Sequence, residues 1–283
     1  FYQSDIRGNA LTQERILAYR RLFEEENATI ITTFDALMDR LVRPEVLRGF
    51  LLRLKAEDTL DLEKLRQHLV GMGYESAYQV DAPGQFAVRG GIVDIFALTE
   101  ELPYRIELWG DEIDSIRTFD PDSQRSVDTL DEIVVYPAAE LVLTKAQQEA
   151  GLKQITAEGK RLSEQYRKEM KTEEAHRLEQ AVELLQEQVE EFGSVRAAES
   201  YLTYFYQDTV SFLEFASRCA ARRDQKLLIF ADEPARCLEK AAAVEKEFSD
   251  SMQQRLEKGY ILPGQIDVLY SHEAVTAEMQ RLG

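Results

Sequence analysis

The sequence predicts an α/β chain interrupted by a small α+β domain with a mainly antiparallel sheet, followed by long helices in its C-terminal half. Three observations carry this expectation. Helix and strand patterns alternate over the first 55 or so residues, a series of short strand patterns occupies 77–136, and helical spacing of apolar residues returns beyond Pro137. The expected segments are 1–56, 57–143 and 144–283, the first and last being parts of one discontinuous α/β domain around the sheet domain.

Leu11 to Glu26 reads as a helix, with Ile16, Leu17, Tyr19 and Phe23 on roughly one side. Thr29-Ile30-Ile31-Thr32-Thr33 is β-branched and predicts a short strand. Asp35 is placed to cap a helix over 36–41, and Pro44 ends that helix or opens another. A helix over 57–74, capped by Asp58 or Thr59, carries Leu62, Leu65, Leu69 and Met72 until Gly71 and Gly73 close it. Strands are predicted at 77–81, 85–89, 92–97, 104–109, 112–119 and 132–136, separated by turn sequences such as Asp81-Ala82-Pro83-Gly84 and Asp120-Pro121-Asp122-Ser123. Ile113, Ile116 and Phe119 break the two-residue period, which points to a bulge.

Farther on, Leu178, Val182, Leu185, Val189 and Phe192 form one helical stripe stopped by Gly193. An aromatic-rich helix is expected over 195–221 and another over 235–257. Between them, Leu227-Leu228-Ile229-Phe230 has the bare apolar character of a strand buried in an α/β layer.

Composition narrows the function. The chain has 283 residues, 44% of them hydrophobic and 30% charged, and a net charge of −18. General nucleic-acid binding rests on clustered Lys and Arg, so this balance argues against it. Cys219 and Cys237 are too few for a disulfide framework or a zinc site and suit a reducing cytoplasm, and His68, His176 and His272 form no ligand pattern. No metal site, cofactor motif or catalytic triad is expected. No apolar run nears the roughly 20 residues of a membrane span. Phe1-Tyr2-Gln3-Ser4-Asp5 has no signal-peptide character, and without an initiator Met the chain is expected to be an excerpt.

Two constellations could carry chemistry. In Tyr104-Arg105-Ile106-Glu107-Leu108-Trp109, alternation puts Arg105, Glu107 and the chain's single tryptophan on one polar strand face. Arg89, before Gly90-Gly91, is placed on an exposed face by the same logic. Arginine and tryptophan are common interface anchors, so the face is a candidate docking surface on which Arg89 and Arg105 could be replaced with folding nearly intact. The competing reading packs Trp109 under a helix and pairs the arginines with local acids such as Glu107, Asp111 or Asp114. The second constellation is Asp232-Glu233 at the end of the 227–230 run. It could place carboxylates for Mg²⁺ and water, but no Gly-x-x-x-x-Gly-Lys-Ser/Thr loop accompanies it, and an acidic pair at a helix start serves the helix dipole.

The stretch Gly84-Gln85-Phe86-Ala87-Val88-Arg89-Gly90-Gly91-Ile92-Val93-Asp94-Ile95-Phe96 resembles a segment shared by the bacterial transcription-repair coupling factors (the Mfd family) and the excision-repair subunit UvrB. The stretch 103–120 resembles them equally, while 122–125, 171–177 and 255–264 look more like the coupling factors. The resemblance implies that the 84–125 block docks onto UvrA, the damage-recognition ATPase, through Arg89, Arg105 and Trp109, although the family often has Phe where Trp109 stands. It further implies that the flanking parts are a degenerate, helicase-like domain whose acidic motif falls on Asp232-Glu233. The working motor and the regions contacting RNA polymerase and DNA are then expected elsewhere in a longer parent. The rival is a UvrB-type DNA-loading ATPase fragment, which would need a phosphate loop and an aromatic-rich hairpin, and 41–54 leaves no room for that hairpin.

Overall fold

A computed structural model describes residues 5–25, 27–192 and 198–282. In chain order the elements begin with α1 (Asp5–Glu24), α2 (Phe34–Leu37), β1 (Leu41–Val42), α3 (Pro44–Gly49), β2 (Leu52–Lys55) and α4 (Leu62–Gly71). The sheet region follows: β3 (Glu75–Ser76), β4 (Gln85–Arg89), β5 (Ile92–Ile95), β6 (Tyr104–Trp109), β7 (Glu112–Phe119), β8 (Ser126–Leu130) and β9 (Glu132–Val135). Then come α5 (Lys145–Lys168), α6 (Thr172–Phe192), α7 (Leu202–Phe205), β10 (Thr209–Val210), α8 (Phe212–Ala221), α9 (Pro234–Glu257) and α10 (His272–Leu282). The chain is thus mixed helix and sheet, and Pro44 opens a helix. None of the helices, among the described residues, is long and apolar enough to cross a membrane.

The chain divides into two compact units, one holding α1 and residues 45–145, the other residues 25–44 and 146–283. In the first unit, β3-β4-β5-β6-β7-β8 form one sheet in that order, antiparallel except for the β3–β4 pair. Phe86, Val93, Ile95, Tyr104, Ile106 and Ile116 are buried, as two-residue alternation requires of one face. The opposite face also has a small core, made by Val80, Ala87, Phe96 and Phe119. The broken period in β7 is real: the ladder shifts register between Glu107 and Leu108 and again between Arg117 and Phe119.

Several elements differ from expectation. The strand expected at 77–81 is two residues at 75–76, while β8, an exposed polar edge strand with almost no hydrophobic period, was not anticipated. The last strand of the block, β9, leaves the main sheet and pairs with β2. Helix α4 starts later than Asp58 or Thr59 would have it. Asp61 is the cap, its side chain accepting from the Glu63 and Lys64 amides, whereas Asp58 accepts from the Lys55 amide. α1 belongs with this unit because Tyr19 donates to Glu140 at 2.7 Å and Gln13 to the Leu98 carbonyl at 2.9 Å.

In the second unit, Leu37, Met38, Leu213, Ala241 and Val275 form a core. The expected strands at 29–33 and 227–230 are absent. Both segments are extended or irregular, and neither has a hydrogen-bonding strand neighbour among the described residues. Leu227 and Ile229 pack on the core, but Leu228, Phe230 and Ile31 lie open to solvent, so apolar content alone misjudged their burial. The expected helix over 195–221 is broken into α7, β10 and α8, with Ser211 capping α8 through the Glu214 amide. Gly193, expected to stop α6, falls outside the described residues.

Gly73 ends α4 with φ +88°, and a Cβ there would lie 2.5 Å from the Ala139 Cβ. Gly73→Ala is therefore expected to lower stability by about 1–3 kcal/mol, through left-handed backbone strain plus the clash. An unchanged urea midpoint would contradict this packing of α4.

Candidate functional site

The site is built on the face of the sheet that carries Asp94. Cross-strand register sets Ala87 opposite Asp94, Asp94 opposite Arg105, and Arg105 opposite Arg117. Asp94 is wholly buried, and a carboxylate removed from water must be neutralised and hydrogen-bonded. Two arginines do this from the strands on either side. Arg105 on β6 donates from Nε to Asp94 Oδ1 at 2.7 Å and from Nη2 to Oδ2 at 2.9 Å. Arg89, at the end of β4, donates from Nη2 to Asp94 Oδ2 at 2.6 Å.

Arg105 is held on two further sides. Its Nη2 also donates to Gln124 Oε1 at 2.8 Å, and its guanidinium lies 4.1 Å from the centre of the Phe119 ring. Hydrogen bonding to Asp94, ahead of a counteracting desolvation, raises the Arg105 pKa above its already high ordinary value, so it is a permanent cation. Arg105 and Arg117 are like charges directly across the ladder, an unfavourable pairing on its own. The face resolves it by pairing Arg105 with Asp94 and Arg117 with Glu107.

The sequence-predicted residues therefore fare differently. Arg89 and Arg105 are brought together on one carboxylate, with side chains 35% and 14% exposed. This corrects the expectation of freely exposed arginines; as the competing reading had it, they pair with a local acid, and that acid is Asp94. Trp109 does not pack under a helix. It ends β6 before Gly110, is 84% exposed, and shares no ring contact or hydrogen bond with the arginines among the described residues. Asp94 and Gln124 are functional candidates that the sequence reading missed. The signal for Asp94 was available: it is the lone charge in the apolar run Ile92-Val93-Asp94-Ile95, and parity puts it on the Arg89 face.

Asp232-Glu233 takes a structural position. Glu233 stands at the N-terminal position of α9 in a left-handed conformation without a side-chain capping bond, its carboxylate pairs with Arg236 at 3.0 Å, and the Asp232 carbonyl accepts from Cys237 Sγ at 3.3 Å. No group of three or more His, Cys, Asp or Glu that could hold a metal ion occurs among the described residues.

Comparison with known proteins matches residues 52–141 to the UvrB interaction domain family. Over 96% of its length the chain is 32% identical to the transcription-repair-coupling factor of Bacillus subtilis, covering 22% of that protein. It is 35% identical to the corresponding Escherichia coli factor over 48% of this chain and 12% of that protein. It is also 30% identical to the UvrABC system protein B of Thermosipho africanus, over 70% of this chain and 30% of that protein. The chain spans less than a third of the length of these relatives.

Removing Arg105 leaves Asp94 buried with one of its two cations and two of its three N–H donors gone. Arg105→Ala is expected to destabilise the chain by roughly 3 kcal/mol, the low end for breaking a buried ion pair, because Arg89 remains. Trp109→Ala should change stability by less than about 0.5 kcal/mol. Urea unfolding of both variants checks this, and equal midpoints would contradict the burial described.

Proposed function

We propose, for a chain that carries a UvrB interaction domain and is a homologue of the transcription-repair-coupling factors, a recruitment role in nucleotide excision repair, exercised by binding UvrA. The observation that carries the reading is the Arg89–Asp94–Arg105 cluster inside the matched residues, two cations on one carboxylate in a chain of net charge −18. Such a locally cationic point on an acidic surface suits a partner's carboxylates, which arginine engages through directional, charge-assisted hydrogen bonds. The exposed indole of Trp109 supplies the apolar area that interface anchors provide.

The second unit acts in this reading as a degenerate helicase-like scaffold, not as an enzyme. The sequence has no phosphate-cradling loop, and the acidic pair Asp232-Glu233 sits at the start of α9 with the Glu233 carboxylate paired to Arg236. The rival, a UvrB-type ATPase fragment that loads onto DNA, is supported by the likeness to UvrABC system protein B over 70% of the chain. Nucleotide and DNA binding separate the two. The recruitment reading expects no calorimetric heat with ATP and Mg²⁺ and no shift of damaged duplex at about 0.15 M salt, where an acidic surface gains nothing from counterion release.

Titration of purified UvrA with the chain is the direct test. Arg89→Ala and Trp109→Ala should each weaken binding by roughly 2 kcal/mol, as interface anchors do, with the fold intact. Rising salt should weaken the complex further. Unchanged affinity with both substitutions present would overturn the reading, and a saturable, Mg²⁺-dependent nucleotide site would favour its rival.

A further inference from the structure

We infer that Asp94 and Gln124 are positioning residues of the docking face, fixing the two arginines before a partner arrives; the inference rests on the docking reading above. Arg89 and Arg105 come from the strands flanking β5 and carry like charges. The wholly buried Asp94 between them accepts three N–H groups and draws both guanidinium groups to one point.

Gln124 clamps the outer side. Its Oε1 accepts from Arg105 Nη2 at 2.8 Å while its Nε2 donates to the Pro121 carbonyl at 2.7 Å, so only this orientation of the amide matches donor to acceptor at both ends. It does so from a left-handed backbone position, φ +59°, which side chains other than glycine seldom adopt. The turn that imposes it is tied by Asp120, whose Oδ1 accepts from the Ser123 amide at 2.7 Å and whose carbonyl accepts from the Gln124 amide at 2.8 Å.

The donor count shows what is left to offer. Arg105 Nε and both Nη2 hydrogens are engaged, which leaves the Nη1 pair, and Arg89 spends one N–H on Asp94. A partner carboxylate therefore meets donors already held in place. Fixing them beforehand removes the ordering cost that two mobile arginines would impose on binding.

The test uses the full chain and purified UvrA, with the folded state at assay temperature verified by circular dichroism. Asp94→Asn, which keeps shape but not charge, should weaken binding at least tenfold, and Gln124→Ala should weaken it about threefold. A cycle with Arg105→Gln separates positioning from general stability. Because Asp94 holds Arg105 as well as Arg89, the double variant Asp94→Asn/Arg105→Gln should lose clearly less than the sum of the two single losses, the remainder being its hold on Arg89. A purely structural Asp94 would make the two losses add, which overturns the inference, as does a folded Asp94→Asn that binds within twofold of the parent. Should Asp94→Asn fail to fold, Gln124→Ala decides: unchanged affinity overturns the inference, and weakening supports it. If Arg89→Ala and Trp109→Ala also leave binding unchanged, the docking reading itself has failed; if they weaken it and the Asp94 and Gln124 variants do not, only the positioning has.

Discussion

Burying a carboxylate without a cation is among the most costly things a fold can do, and Asp94 has no exposed surface at all. Much of the sheet's character follows from satisfying it. β5 must lie between two strands that each deliver an arginine at the right register. The hairpin at Gly90-Gly91, where Gly90 takes φ +59°, sets Ala87 opposite Asp94 and leaves Arg89 within reach. Phe119 then lies beneath the Arg105 guanidinium and joins Val80, Ala87 and Phe96 in a core on the same face. The face is polar in composition yet largely packed. Its charge is held as a network, in which Asp94 offsets Arg105 and Glu107 offsets Arg117.

That arrangement explains how an acidic chain can present a cation. Surface arginines dispersed among 52 acidic residues would pair wherever a carboxylate was near, each contact worth little. Two arginines on one buried carboxylate keep a local surplus of one positive charge, directed and partly shielded from solvent competition. Trp109 answers to a different constraint. It stands at the strand end before Gly110, where packing does not confine it, and its indole remains available.

The sequence was legible where short-range rules decide. Helix α9, strands β4, β6 and β7 and the irregular period of β7 were all visible in spacing and turn chemistry. It was misleading where a segment's fate depends on a neighbour far along the chain. The run 227–230 reads as a buried strand, but half its side chains lack a covering layer, and 29–33 has no strand neighbour among the described residues. β8 was invisible because Ser126-Val127-Asp128-Thr129-Leu130 pairs through backbone on an exposed edge and needs no apolar stripe. At the site, parity identified the face of Arg89 and Arg105 correctly but could not show that the face was packed. Burial of Asp94 is a product of register between β4, β5 and β6, and attention to the lone acid in an apolar strand would have brought the reading nearer.

In the proposed recruitment role, the Asp94-centred face of the sheet is where this chain meets UvrA. Hydrogen–deuterium exchange of the chain with and without UvrA tests it most directly, because it locates protection without altering a residue. Protection on binding should concentrate in segments 85–95, 104–119 and the turn at 120–125, with α5, α6 and α9 unaffected. Protection confined to residues 146–283, with the sheet segments exchanging as in the free chain, would contradict the account.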